Sequence, residues 1–326
     1  MSVRETDDRP SLPPGYRTRP PRRSDVAAIA AVAGANDTAV SGESDVTEAE
    51  IAFRWDTPRY NPEHDALVVE ADDGTVVGYR CVSSCQDHLQ IDAYLVVHPE
   101  HWRRGLEPFL LTDAEARAVE LAAAAQAGAR ASLGVWCFRQ DEILQQLFRA
   151  AGFAPTRVFQ QMTIDAAAIR GEPRWPAGIE VRLFRRGVDE RAIHAALEEA
   201  FAKHFRFSHQ SFAEWEVEMF SWGDLDLGLW WVAWDGDEVA GTVLGAVLPT
   251  GGHVEILAIR EGWRGRRLGA ALLLHSLRQL VSFGHERITL DVDAANVTGA
   301  DRVYQRAGMR VCRETDFFEK ELPATR

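Results

Sequence analysis

The residues with the most chemical potential lie between Gly252 and Ala270. A short apolar run rich in β-branched residues, Val254 to Ile259, carries His253 and Glu255 at its start and reads as a buried strand. Arg264-Gly265-Arg266-Arg267-Leu268-Gly269-Ala270 follows as a tight turn, and Leu272, Leu273, Leu277 and Leu280 then recur at helical spacing. Strand, glycine turn and helix together aim backbone N–H groups and the positive helix end at a phosphate, and the arginines add charge for the same anion. No Gly-Lys-Ser/Thr ending marks a nucleoside-triphosphate loop, and no Gly-x-Gly-x-x-Gly marks a dinucleotide site. The competing explanation is an ordinary connection with solvated arginines.

The elements that must hold this segment come in a repeated order. In the first half, a strand from Tyr16 precedes an alanine-rich helix, capped by Ser24-Asp25 and running to about Gly34. A second helix spans Thr47 to Trp55, with Thr47 and Glu50 as a capping box. Strands follow at Ala66 to Glu70, Val76 to Val82 and Leu89 to Val97, then a long helix from Leu106 to Ala127. A strand (Ala131 to Val135), a helix (Gln140 to Ala151) and a strand (Arg157 to Ile164) finish it. The second half repeats the order: strand Ile179 to Leu183, helices Asp189 to Phe201 and Ser211 to Ser221, and strands Trp231 to Trp234, Val239 to Val247 and Val254 to Ile259. The long helix to Phe283, strand Arg287 to Val292, helix Val297 to Ala307 and strand Arg310 to Lys320 complete it. The same order twice implies a tandem duplication. The expected organisation is a flexible tail (1–15), an N-terminal domain (16–168), a linker (169–178) around Pro173 and Gly178, and a C-terminal domain (179–326).

With 326 residues, 46% of them hydrophobic, the chain can bury two ordinary cores. A net charge of −13 argues against nucleic acid or an anionic membrane as partner. No apolar run is long enough to span a bilayer and the N-terminus is polar, so a cytoplasmic protein is expected. Four scattered cysteines, Cys81, Cys85, Cys137 and Cys312, suit core packing better than disulfides or metal, and no metal is expected. Phe212 to Glu238 carries eight acidic residues, no Lys or Arg, and five interleaved tryptophans. A cationic amine held by carboxylates and aromatic faces is one explanation, and a solvated acidic face is the other.

The loop Arg264 to Ala270 resembles the Gln/Arg-x-x-Gly-x-Gly/Ala signature of the Gcn5-related N-acetyltransferase (GNAT) superfamily, with Arg267 where the first glycine usually stands. Ala300-Asp301-Arg302-Val303-Tyr304-Gln305-Arg306-Ala307-Gly308-Met309 is similar to the last helix of that family, and Gly152-Phe153 closes the first half in the same way. The resemblance implies an α/β (α+β) fold: a tandem duplication of the acyl-CoA N-acyltransferase fold, each half a mixed sheet flanked by helices. It also implies an acyltransferase using acetyl-CoA as co-substrate. Leu257, Ala258 and Ile259 would then offer backbone groups to pantetheine and thioester. Arg264, Gly265, Arg266, Arg267, Leu268, Gly269 and Ala270 would grip the pyrophosphate, and Asn296 would meet the pantetheine arm or cap the next helix.

Within that family Glu255 matches the general base, with His253 as an alternative or relay partner, and Tyr304 matches the acid that protonates the departing thiolate. The first half departs more: Trp102, Glu107 and Phe148 fall at the positions of Arg264, Gly269 and Tyr304, so a degenerate first domain is expected. Glu199 to His204 and Leu290 to Asn296 carry a likeness to mycothiol synthase-like tandem members. Phe205-Arg206 and Asp291 depart from that pattern and favour another amine. The expected acceptor is a small, cationic primary amine, and the expected state a monomer or homodimer. Mycothiol synthesis itself, a longer-acyl or aminoacyl transferase, and a non-catalytic acetyl-CoA sensor are the alternatives.

Overall fold

The computed structural model describes residues 11–57, 59–126, 128–220, 225–296 and 299–323. The chain forms two compact units, Met1–Thr156 with Asp316–Arg326, and Arg157–Thr315. In chain order the elements are β1 (Tyr16–Arg19), α1 (Val26–Ser41), α2 (Glu48–Asp56), α3 (Pro62–Asp65), β2 (Ala66–Ala71), β3 (Val76–Ser84), β4 (Gln90–Val97), α4 (Leu106–Ala122), β5 (Ser132–Phe138), α5 (Glu142–Ala150) and β6 (Ala154–Asp165). Then come β7 (Ile179–Leu183), α6 (Glu190–Phe201), α7 (Phe212–Phe220), β8 (Trp230–Asp235), β9 (Glu238–Leu248), β10 (Gly251–Ile259), α8 (Leu268–Ser282), β11 (Arg287–Asp293), α9 (Ala300–Arg306) and β12 (Arg310–Glu321).

Each unit is a mixed sheet covered by helices. In the first, the order is β1-β2-β3-β4-β5, antiparallel except for the parallel pair β4/β5. Successive strand residues face opposite ways, so Val68 joins the core under α1 and α2 (Ile29, Ile51, Trp55). Its neighbour Val69 joins the core under α4 and α5 (Leu110, Leu111, Phe148). In the second unit the order is β7-β8-β9-β10-β11-β6, antiparallel except for β10/β11. Leu272, Leu273 and Leu277 of α8 are fully buried against this sheet's core, each contributing about 1.5–3 kcal/mol of apolar burial.

The compact units depart from the repeats in one respect. The last strand of the first repeat, β6, belongs from Arg157 onward to the second unit, where it pairs antiparallel with β11 from Asp165↔Arg287 to Phe159↔Asp293. The last strand of the second repeat, β12, belongs from Asp316 onward to the first unit beside β5. The segment read as a linker also lies inside the second unit. Gly171 O accepts from Arg278 on α8 at 3.1 Å, Glu172 pairs with the same guanidinium, and Trp175 meets His275 edge-on. At the other end, Leu12 packs on the first unit's core, whereas residues 1–10 of the expected tail lie outside the described residues.

Local deviations have local causes. Helix α1 passes through Gly34 and stops at Gly42, which takes a left-handed φ of 90°. A mid-helix glycine costs about 1 kcal/mol relative to alanine, too little to end a helix whose Ile29, Val32 and Ala33 are buried. Asp25 does not cap it by side chain; its carboxylate takes the Arg19 guanidinium and the Arg22 N–H. Thr47 caps α2 as expected, accepting from Glu50 N–H at 3.1 Å. Helix α4 ends at Ala122, its last buried residue, well before Gly128. Ser221, Val297 and Trp222 lie outside the described residues.

Candidate active site

Strands β10 and β11 pair only from Gly252↔Ile288 to Val254↔Leu290 and then part. On its other edge β10 stays paired with β9 as far as Ile259, but the register slips between Val254 and Ile256. Glu255 is therefore the extra residue of a β-bulge, a device that bends a strand and re-aims a side chain. Where the strands part a cleft of about 1030 Å³ opens within the second unit. The backbone of Ile256 to Ile259 has no ladder partner on the β11 side among the described residues, so its polar groups are available to whatever fills the cleft.

The loop beyond β10 makes an anion seat. Gly265 and Arg267 both hold left-handed backbones, φ 75° and 67°. Arg267 caps α8, no side chain caps that helix, and its first turn holds no acid. The N–H groups of Leu268, Gly269 and Ala270 thus lack intrahelical acceptors, and all three residues line the cleft.

The arginines divide their work differently from the sequence expectation. Arg264 Nε donates to Ile259 O at 3.0 Å and Nη2 to Ala200 O at 2.8 Å. Its charge ties the loop to the end of β10 and the last turn of α6. Arg266 is exposed and does not line the cleft, so it is not part of the seat. Apart from His253, which lies behind Glu255, every other expected site residue does line it: Glu255, Leu257, Ala258, Ile259, Arg264, Gly265, Arg267, Leu268, Gly269, Ala270, Asn296 and Tyr304.

Glu255 is more open than a strand carboxyl, with 45% of its side chain exposed, because the bulge turns it into the cleft. His253 is buried; its Nδ1 lies 2.8 Å from Thr289 Oγ1, and its Nε2 lies 3.6 Å from Glu255 Oε2 and 3.8 Å from Asp291 Oδ2. Tyr304, on α9, is buried, and desolvation pushes its hydroxyl up to about 12. The phenol is therefore a protonated donor throughout the neutral range. His204 also lines the cleft; burial and then the Arg264 charge push its imidazole below its ordinary value, keeping it neutral. No group of three or more His, Cys, Asp or Glu among the described residues could hold a metal ion.

Phe159 and Arg170 carried no signal in the sequence, whereas Phe205 and Asp291 stood out there as departures from the mycothiol synthase-like pattern. Phe159 comes from β6 and Arg170 from the supposed linker, both assigned by order alone to the other repeat or to none. Asp291 and Asp293 are the end of β11, and Phe205 follows α6, with Arg157 stacked 4.4 Å over its ring. Conversely, no residue of Phe212–Glu238 lines the cleft among the described residues. Trp215, Trp230 and Trp234 are buried in the core, and Trp231 meets His275 edge-on at 4.3 Å. Among the described residues, that stretch forms no aromatic cage on the cleft.

The corresponding place in the first unit is filled. Pairing of β4 with β5 ends at Ala93↔Val135, but β3 and β4 keep an unbroken register and form no bulge. Beyond the last pair, the rings of Tyr94, Trp136 and Phe317 stack in sequence, each about 6.4 Å from the next. The loop keeps the same two left-handed positions, with arginine and glycine exchanged: Arg103 at 60° and Gly105 at 87°. Trp102 Nε1 donates to Val97 O at 2.8 Å, as Arg264 does to Ile259 O. Glu107 turns its carboxyl back onto the loop, accepting from Arg103 N–H at 3.1 Å, and burial pushes that carboxyl up.

Residues 35–153 and 190–309 each match the acetyltransferase (GNAT) family. The chain belongs to that family. The mycothiol acetyltransferase of Geodermatophilus obscurus is 32% identical over 304 residues, 87% of this chain and 90% of that protein. A solved GCN5-related N-acetyltransferase from Sphaerobacter thermophilus has a TM-score of 0.80 at 30% identity, covering 96% of this chain and 98% of that one. A tandem GNAT protein from the clavulanic acid biosynthesis pathway shares the fold, with a TM-score of 0.70 at 16% identity over 95% of this chain and 99% of its own. This chain is a tandem GNAT acyltransferase, similar to the mycothiol acetyltransferases. GNAT enzymes use acyl-coenzyme A, and the second unit's residues fit it: uncapped α8 amides suit a diphosphate, and the unpaired edge of β10 suits the amide-bearing pantetheine.

Proposed function

We propose that the chain transfers an acetyl group from acetyl-CoA to the primary amine of a small cationic acceptor, within the second unit. The observation that carries this is the convergence on one cleft of the α8 amides, the Glu255 carboxylate and the buried Tyr304 phenol. The α8 amides and Arg267 hold the diphosphate, and the free edge of β10 holds pantetheine and polarises the thioester carbonyl. Glu255 removes a proton from the bound ammonium, the amine nitrogen bonds to the carbonyl carbon, and the C–S bond breaks. Tyr304 donates its proton to the departing sulfur and recovers one from the acylated nitrogen, whose second N–H bond breaks as the amide forms. Glu255 and Asp291, facing each other where β10 and β11 part, supply carboxylates to a cationic acceptor. The first unit, with its own carboxyl on the loop and three rings in the gap, has a structural role.

A second possibility is acetylation in mycothiol synthesis, which the named relatives favour. Phe205, bearing Arg157 on its ring, and Asp291 are the departures that favour another amine. Both are tested by free-thiol release from acetyl-CoA across amino sugars, polyamines, antibiotics, amino acids and mycothiol lacking its acetyl group. Glu255→Gln and Tyr304→Phe should each lower turnover about 10²-fold while coenzyme still binds. Coenzyme binding without turnover on any amine would make the protein a sensor instead. Full activity in both variants would remove the two assigned roles.

A further inference from the structure

His253 lies at the root of the cleft, behind the residues that touch the acceptor. It pairs with Thr289 of β11, and its side chain is only 6% exposed. Glu255 and Asp291 are the first residues beyond the last β10/β11 pair, Val254↔Leu290. The bulge on one strand and the parting of the other therefore bring two carboxylates, from opposite walls, to a single nitrogen, His253 Nε2, at 3.6 and 3.8 Å. The ring's other nitrogen is engaged with the Thr289 hydroxyl at 2.8 Å. Strand β9, on the far side, places uncharged Ala246 opposite His253.

We infer that His253 is a positioning residue that receives the acceptor's proton through Glu255, with Asp291 stabilising the imidazolium so formed. This rests on Glu255 being the base. In the tautomer that donates Nδ1–H to Thr289 Oγ1, His253 turns the lone pair of Nε2 toward Glu255. Glu255 takes the proton from the ammonium and passes it to Nε2, so the N–H bond of the acceptor breaks and one forms on imidazole. Glu255 returns to carboxylate, and the new cation sits between it and Asp291. An aliphatic ammonium holds its proton about six pH units more tightly than an ordinary carboxylate, and imidazole narrows that gap by about two. Glu255 is half open to the cleft, with the imidazole standing directly behind it.

The test is the pH dependence of kcat/KM in the full chain with the best amine of the panel, for wild type, His253→Asn, His253→Gln and Asp291→Asn, alongside acetyl-CoA binding by calorimetry. The wild-type acid limb should have an imidazole-like midpoint. Either His253 variant should move it about two pH units toward the carboxylate range, with kcat about tenfold lower and coenzyme affinity unchanged. Asp291→Asn, whose side chain is 54% exposed and free of core packing, should move it down by up to about one unit. It decides the matter alone if the His253 variants do not fold. An unmoved midpoint in Asp291→Asn, or a uniform loss of rate without a shift, overturns the inference. Loss of activity in Glu255→Gln beside an unmoved limb sinks only the inference, whereas full activity in Glu255→Gln sinks the proposed function.

Discussion

Replacing Arg267 by glycine should make the protein more stable and its grip on coenzyme weaker at the same time. Arg267 caps α8 with φ 67° and ψ 10°, a left-handed conformation that costs an L-residue about 1–2 kcal/mol. Glycine removes that cost but adds about 0.4–1 kcal/mol of chain entropy in the unfolded state. The balance is a gain of roughly 0.5–1 kcal/mol, a rise in thermal midpoint of about 1–4 °C. The variant also removes an exposed cation from the lip of the diphosphate seat, so KM for acetyl-CoA should rise a few-fold, the modest worth of one exposed charge. Arg267→Ala is the control, because it deletes the same charge but keeps a β-carbon in the left-handed region. Scanning calorimetry and donor titration of both variants separate the two effects. A lower midpoint in the glycine variant, or equal midpoints for glycine and alanine, would refute the strain. An unchanged KM in both would take Arg267 out of the seat.

Burial holds the Tyr304 phenol protonated up to about 12. Its conserved proton should leave kcat without an alkaline limb of its own below about pH 11, and Tyr304→Phe should lower the whole profile without moving its midpoints. A limb near pH 10 that disappears in Tyr304→Phe would contradict the buried placement. Residues 157–315 alone should fold cooperatively and bind acetyl-CoA, because they hold the full order β7-β8-β9-β10-β11-β6 and the whole cleft. Residues 179–326, the repeat as read from sequence, lack β6 with its buried Met162 and Ile164 and should not fold. Indistinguishable melts of the two fragments would count against the exchange of strands.

Periodicity and capping made the element order legible, since each hydrophobic run answers to a local rule: Thr47 at a helix start, Gly152 just past a helix end, the β-branched run from Ala66 to Glu70 as a strand. The gathering of Glu255, the α8 amides and Tyr304 on one cleft was legible for a related reason, because a loop and a helix must keep particular residues at fixed spacing to present amides and a phenol. Three things were not. The destinations of β6 and β12 depend on pairing between segments far apart in sequence, so Phe159 and Arg170 gave no hint that they reach the cleft. The bulge at Glu255 has no local signature; Val254-Glu255-Ile256 looks like regular alternation until the β9 register is known. Arg264, Arg266 and Arg267 are neighbours of one type, and only geometry separates the one that braces backbone carbonyls from the one at the seat's lip and the one in solvent.

Because the second unit is one unbroken stretch set between the two pieces of the first, vectorial synthesis imposes an order on assembly. Arg157–Thr315 leaves the ribosome ahead of Asp316–Arg326, so the first unit is the later of the two to receive all its strands. Until Asp316–Arg326 emerges the edge of β5 is bare and the space over Gly134, where Phe317 comes so close that even a methyl would clash with its ring, stands empty. The older unit thus waits longest for the ring that closes it, a nascent-chain interval in which Trp136 has no stacking partner from β12.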